Sequence, residues 1–302
     1  MLIFRTHAAA KNGSGYLTGS LFLASLLKKK IDIVFCIEAE QNKEVVKYLQ
    51  EKKIAFCRPQ ELPPTNPQGV IFYTDEFAPA DKELLRRAKE NHIKTVHLLP
   101  PGIPPTENIC DYTLSGPLYA LLHSKYRHFN KINRKYRKRI ANILISLEDT
   151  QPYRELRKII DLLYRQRIAV KIAAPLFSRK SSQKILKRIF PGIRFVGKTE
   201  SLARPFFEAD LALIIPAPAA YEAAAAGVPA LYLPCSPQQA ATAGSFEREN
   251  LGVALAGISD ITAALAGLSL EKRIAIGQTG KKLIDARGAY RIIDFLKEKG
   301  IM

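Results

Sequence analysis

The chain has 302 residues, 47% of them hydrophobic and 25% charged, and carries a net charge of +18. That length exceeds one comfortable hydrophobic core and favours two domains, and the composition is that of a globular protein rather than a disordered or fibrous one. No apolar run approaches the roughly 20 residues needed to span a bilayer, and the start lacks a basic-then-apolar leader pattern, so the expected compartment is the cytoplasm. Cys36, Cys57, Cys110 and Cys235 are scattered with no C-x-x-C pair; this argues for reduced, packed thiols and against a metal, and no cofactor is expected. The excess positive charge favours polyanionic partners: nucleic acid, an anionic membrane surface or phosphorylated small molecules.

The first apolar run, "MLIF", is a strand, followed by "NGSGYLTGS" and a helical stretch, "YLTGSLFLASLLKKK". Gly13 and Gly15 form a G-x-G that reads first as a turn bringing backbone near the ligand cleft and second as a phosphate contact. "IDIVFCIE", "GVIFYTD" and "IKTVHLL" continue as strands, separated by helices over "QNKEVVKYLQEKK" and "ADKELLRRAKENH". Strands of 4–8 residues alternating with helices indicate βαβ units and a parallel sheet. Ligands in such sheets bind outside the carboxyl ends of the strands, which is where His7, Asp75 and His97 fall. "SKYRHFNKINRKYRKR" (124–139) then concentrates the basic residues. Tyr126, Phe129, Ile132 and Tyr136 recur at helical spacing, so the first reading is an amphipathic helix whose aromatic stripe packs inward. Contact with an anionic membrane ranks second. Nucleic acid, bound by stacking on the interleaved aromatics, ranks last.

A second alternating series begins near Ala141, with strands over "ANILISL", "IAVKIAAPL", "IRFVG", "ADLALII" and "VPALYLP". Helices over "PYRELRKIIDLLYRQ", "SSQKILKRIF" and "AAYEAAAAG" lie between them. The expected architecture is α/β, with Rossmann-like domains over 1–138 and 139–302 and a ligand cleft between facing strand ends.

Six segments, in order, resemble the nucleotide-sugar hydrolases of pseudaminic-acid biosynthesis and their spore-coat polysaccharide relatives. "GSGYLTGSLFLASLL" resembles that family's G-x-G-H-x-x-R loop and first helix, and "VIFYTDEF" its V-V-x-D-x-Y strand, with Asp75 and Phe77 at the acidic and aromatic positions. "CDYTLSGPLYALLHSKYRHF" resembles the segment ending the first domain, and "FVGKTESLARPFFEADLAL" the approach to the nucleotide site. "YEAAAAGVPALYLPCSPQQ" is similar to W-E-x-x-x-x-G-x-P-x-L-x-x-P with its following amide pair, and "IDARGAYRIIDFL" to the ending I-D-G-x-G-A-x-R. The resemblance implies a GT-B fold, shared with the glycosyltransferase that forms lipid II. It also implies a UDP- or CMP-linked sugar as partner.

By this resemblance Glu222 holds the nucleotide ribose, Gln238 and Gln239 contact the sugar, and Ala219 lies in the phosphate loop. A carboxylate can accept from both ribose hydroxyls, and amides offer donors and acceptors together. The other reading of Glu222 is a first-turn glutamate favoured by its helix dipole, and of the glutamines a polar helix start. Several positions depart from the pattern. Tyr16 stands where the family has its histidine base, Gly19 where it has arginine, and "PAPA" (216–219) where it has Gly-Gly-Ser-Thr. Proline has no N–H to offer a phosphate. "SLED" (146–149) brings acidic groups to a stretch that is Gly-Gly-Ser-Asp in the family. Tyr16 is kept as a donor-binding residue, but a phenol of pKa near 10 is a poor base, which leaves His7 as the first candidate replacement, His97 as the second, and Asp75 to orient a base or an acceptor. These departures lead us to expect a divergent glycosyltransferase of cell-surface glycan biosynthesis, moving a nonulosonic or deoxyamino sugar to a protein or glycan acceptor, with peripheral contact at the inner membrane face. The alternatives are the hydrolase itself and a non-catalytic binding protein of the same fold.

Overall fold

The computed structural model describes residues 1–6, 15–38, 43–60, 67–74, 77–99, 109–147, 153–173, 180–196, 201–216 and 218–302. His7, Gly13 and Asp75 lie outside them, as do Glu148 and Asp149. The chain divides into two compact units, one formed by 1–122 together with 287–302 and the other by 123–286. The expected division at 138/139 therefore differs from the observed one at two points. The basic segment 124–139 belongs to the second unit, and the last helix returns to the first.

In the first unit, β1 (Leu2–Thr6), β2 (Ile33–Cys36), β3 (Phe56–Cys57), β4 (Gly69–Tyr73), β5 (Lys94–Leu98) and β6 (Tyr112–Leu114) form one sheet in the order 3-2-1-4-5-6. All of its pairings are parallel. The central strands β1 and β4 are buried along their whole length, which is why they read as continuous apolar runs rather than alternating ones. Helices α1 (Gly15–Leu27), α2 (Lys43–Glu51) and α3 (Pro79–Glu90) provide the crossovers. The apparent exception in β1 is Arg5, which is 1% exposed. Its guanidinium pairs with the fully buried Asp81 of α3 and, at 2.9 Å, with Glu38. Asp81 also accepts from the Ala78 N–H at 2.7 Å, closing the start of α3. Burial pulls the pKa of Arg5 down, but the facing Asp81 carboxylate more than offsets this and the net direction is up.

The second unit repeats the plan. Strands β7 (Asn142–Ser146), β8 (Ala169–Ala173), β9 (Arg194–Val196), β10 (Leu211–Ile214), β11 (Ala230–Tyr232) and β12 (Val253–Ala254) form a parallel sheet in the order 12-11-10-7-8-9. Aliphatic side chains from β7, β8 and β10 pack against Ile159, Ile160 and Leu163 of α5 (Tyr153–Arg165) and against Leu186 of α6 (Lys180–Ile189).

The basic segment is not one helix. α4 spans only Ser124–Lys131, and the chain is irregular through Arg139. Its inward residues nonetheless hold the unit together. The Asn130 amide nitrogen lies 2.9–3.1 Å from the carbonyls of Ala225, Lys281 and Ile284. These carbonyls lie in or just beyond the last turns of α8 (Pro218–Ala225) and α11 (Leu270–Leu283), where helix geometry leaves carbonyls unpaired. Arg134 donates to the carbonyls of Phe207 and Ala209, Phe129 stacks on Phe207 at 4.8 Å, and the Tyr136 hydroxyl donates to Gly227 at 3.0 Å. Among the described residues, no helix is long and apolar enough to cross a membrane.

Candidate functional site

The arrangement around Glu222 starts with the ends of two central strands. Ser146 closes β7 and stands in register with Ile214 of β10. The chain leaves β10 through Pro216 and enters α8 at Pro218. Proline suits the first helical position because the N–H it lacks would have no intrahelical partner there. The N–H groups of the next residues, Ala219 and Ala220, belong to the first turn that α-helix geometry leaves open to an anion. Ala219 is buried, so what it can offer a ligand is backbone.

Glu222 is the fifth residue of α8, in its second turn, so the first-turn dipole reading does not apply. It is half-buried on a helix whose other described residues beyond Pro218 are buried. Its surroundings include Tyr126 of α4, a fully buried phenol near enough to Glu222, Ser201 and the Leu202 backbone to interact with them, although its hydroxyl makes no direct hydrogen bond among the described residues. Burial, then the charge of Glu222, pushes the Tyr126 pKa well above the ordinary 10 of a phenol. The tyrosine therefore stays protonated near the carboxylate. Tyr126 was legible in the sequence only as one member of an aromatic stripe. Its hydroxyl, on a side chain sunk among helices, was the signal that it needed a polar neighbour.

The two glutamines separate in role. Ser236 caps α9 (Pro237–Arg248), its hydroxyl accepting from the Gln239 N–H at 3.2 Å. The Gln239 side chain reaches back to the Cys235 N–H at 2.7 Å. This reciprocal pair is a capping arrangement, as the polar-helix-start reading expected. It occupies the Gln239 carbonyl oxygen and leaves the amide NH2 to donate. Gln238 is exposed at the same helix start.

In the first unit, Gly15 is the first residue of α1 and Tyr16 the second. Tyr16 is buried and meets the ring of Tyr73 edge-on at 5.1 Å, so it is a packing residue there. Gly19 has a steric reason. A Cβ at this position would lie 2.9 Å from Tyr73 Cε1 and 3.2 Å from Leu121 Cβ, leaving no room for an arginine. His97 is buried on β5, with Nε2 2.9 Å from the Thr74 carbonyl and its ring edge-on to Phe77 at 4.8 Å. A carbonyl only accepts, so Nε2 carries the proton and Nδ1 is the free base of the ring. Burial lowers its pKa, the Thr74 bond opposing, and the imidazole is neutral at pH 7. Among the described residues, no group of three or more His, Cys, Asp or Glu side chains is placed to hold a metal ion.

No family model matches the sequence, and no curated protein sequence matches it. Solved structures do match in shape. UDP-GlcNAc 2-epimerase from Neisseria meningitidis bound to UDP-GlcNAc superposes with a TM-score of 0.63 at 10% identity, over 99% of this chain and 100% of that one. MurG from Acinetobacter baumannii gives 0.60 at 12% identity, over 98% and 99%. The S. aureus MnaA–UDP co-structure gives 0.64 at 9% identity, over 100% and 97%. At these identities the likeness speaks for the fold, and with two parallel six-stranded sheets it establishes that the fold is GT-B.

Proposed function

We propose that the protein is a sugar-nucleotide enzyme of cell-surface glycan biosynthesis that breaks the anomeric bond of a UDP- or CMP-linked sugar, and that its second unit holds the nucleotide. The observation that carries this reading is Glu222: a half-buried carboxylate one turn inside α8, beyond the carboxyl end of β10, with Tyr126 at its back. A carboxylate so placed accepts from the two hydroxyls of a ribose. The first-turn N–H groups of α8 favour the adjoining phosphates, replacing the glycine-rich loop that the sequence lacks. Structures of the same fold in complex with UDP and UDP-GlcNAc support this reading.

Within that class we favour transfer to a protein or glycan acceptor over hydrolysis. The residue at the position of the family histidine, Tyr16, is buried in ring packing. A positioned base contributes typically 10²–10⁴-fold, so water would be poorly activated there. An acceptor hydroxyl held in place needs less from a base, and His97 Nδ1, His7 or Asp75 would receive its proton. The exposed cations of the basic segment would bring the enzyme to anionic donors or to a membrane carrying the acceptor. The test is to incubate the protein with UDP- and CMP-sugars, with and without glycan acceptors, and measure free sugar and free nucleotide. Nucleotide release that requires acceptor supports transfer. Release of free sugar without acceptor assigns the hydrolase, and nucleotide binding with no turnover of any donor assigns a binding protein.

A further inference from the structure

The four cysteines looked unrelated in the sequence, but β-pairing brings two of them together. Cys36 ends β2 and Cys57 ends β3, and the two are register partners in a parallel ladder. Directly paired residues on adjacent strands lie about 4.8 Å apart and point to the same face. That spacing falls within the Cα–Cα range of a disulfide, about 4.4–6.8 Å. The two thiols interact, Cys57 acting to raise the pKa of Cys36. Main-chain bonds bracket them, from Phe35 N to Ala55 O at 2.9 Å and from Ile37 N to Cys57 O at 3.0 Å. Cys36 is fully buried and Cys57 half-buried against the same apolar cluster, so Cys57 is the nearer of the two to solvent. β3 is a two-residue edge strand, so it can give by the small amount that bond formation asks.

We propose that Cys36 and Cys57 form a reversible dithiol–disulfide site that reacts with low-molecular-weight disulfides. The Cys57 thiolate attacks one sulfur of the reagent, forming a mixed disulfide and releasing one thiolate. The Cys36 sulfur, losing its proton to solvent or to that released thiolate, attacks Cys57 Sγ and expels the second. Two protein thiols are oxidised, one reagent disulfide is reduced to two thiols, and no other oxidant is needed. Hydrogen bonding to Cys57, then burial, raises the pKa of Cys36, which makes it the slow, resolving partner rather than the attacker. Guanidinium of Arg5 beside it favours the thiolate, and Asp81 opposes it. The product clips the edge strand to the sheet across the α2 crossover.

The test uses the full chain with oxidised glutathione, followed by alkylation, intact mass and peptide mapping. Cys235, exposed, serves as the ordinary thiol that forms a glutathione adduct. The expected result is a Cys36–Cys57 cross-linked peptide and a loss of two hydrogens from that region. Cys36→Ser should stop at one glutathione on Cys57, and Cys57→Ser should leave Cys36 unmodified. In the unsubstituted protein, amide exchange across α2 and β3 should slow on oxidation and recover with dithiothreitol. A stable glutathione adduct on Cys57 in the unsubstituted protein would overturn the proposal. So would both thiols remaining alkylatable once Cys235 is fully converted.

Discussion

Arg5 is the residue on which the first sheet turns. A guanidinium inside a central strand is tolerated only because Asp81 and Glu38 face it and the Cys36 carbonyl lies 3.4 Å from it. Removing one partner of such a buried pair typically costs about 3–5 kcal/mol, since the other charge is left uncompensated. Asp81→Asn should lower unfolding stability by that order, and by more than Glu38→Gln, whose side chain is 38% exposed. Chemical denaturation followed by probes in the first unit checks this; equal effects of the two changes would contradict it. His97 carries a pH prediction. Its folded pKa lies below the ordinary 6.5, so between those two values only the unfolded chain binds the proton. Unfolding then takes up protons, and stability falls as pH drops through about 6.5, the contribution being absent above it. Melting of the first unit should thus decline from about pH 7.5 to pH 5, and His97→Gln should flatten the slope. An unchanged slope in that variant would remove His97 from the account.

At the scale of elements, glycines and alanines decide how closely helices approach. α8 packs on α11 through Ala224, and a Cβ at Gly280 would lie 2.9 Å from both Ala224 Cα and its carbonyl oxygen. In an open helix Gly→Ala gains up to about 1 kcal/mol. Here backbone blocks the added methyl, and overpacking costs about 1–3 kcal/mol, so the loss wins. Gly280→Ala should therefore destabilise the second unit. Gly267→Ala, with nothing within 4 Å, should be neutral or mildly stabilising, and thermal melts of the two variants separate these outcomes. The sequence announced the long central strands and the six helices read from their periodicity, because repeated apolar positions over several residues leave a pattern. It did not announce β3, β6 and β12, edge strands of two or three residues; β9 and β11, as short, were read only because longer apolar runs, "IRFVG" and "VPALYLP", surround them. Nor could it give the true length of α4. Tyr136 keeps an inward role beyond the helix end through its bond to Gly227, so helical spacing continued where the helix did not.

For the molecule as a whole, the GT-B fold was legible, and so was the segment order. "GPLYALL" and "ARGAYR", far apart in sequence, meet in the first unit, where Gly288 of α12 (Gly288–Glu298) abuts the backbone of Tyr119 and Ala120 so closely that a Cβ would fall 2.3 Å from the Ala120 carbonyl. The candidate site was legible in part. Glu222 stood out because its motif survives. Its neighbour Tyr126, almost one hundred residues earlier, has no local signature linking the two. The reverse happened at Gln239, where S-P-Q-Q is a capping sequence whatever else it does. If the second unit binds a nucleotide at Glu222, as proposed, a thermal-shift titration with UDP, CMP and their sugars detects it. Ligand at 100 times its dissociation constant stabilises by about 2.7 kcal/mol, or roughly 5–10 °C for a unit of this size. Such a shift is expected with at least one nucleotide, and its loss in Glu222→Gln, a change that keeps an acceptor near the Tyr126 hydroxyl. No shift with any nucleotide, or an equal shift in the variant, would contradict the proposal.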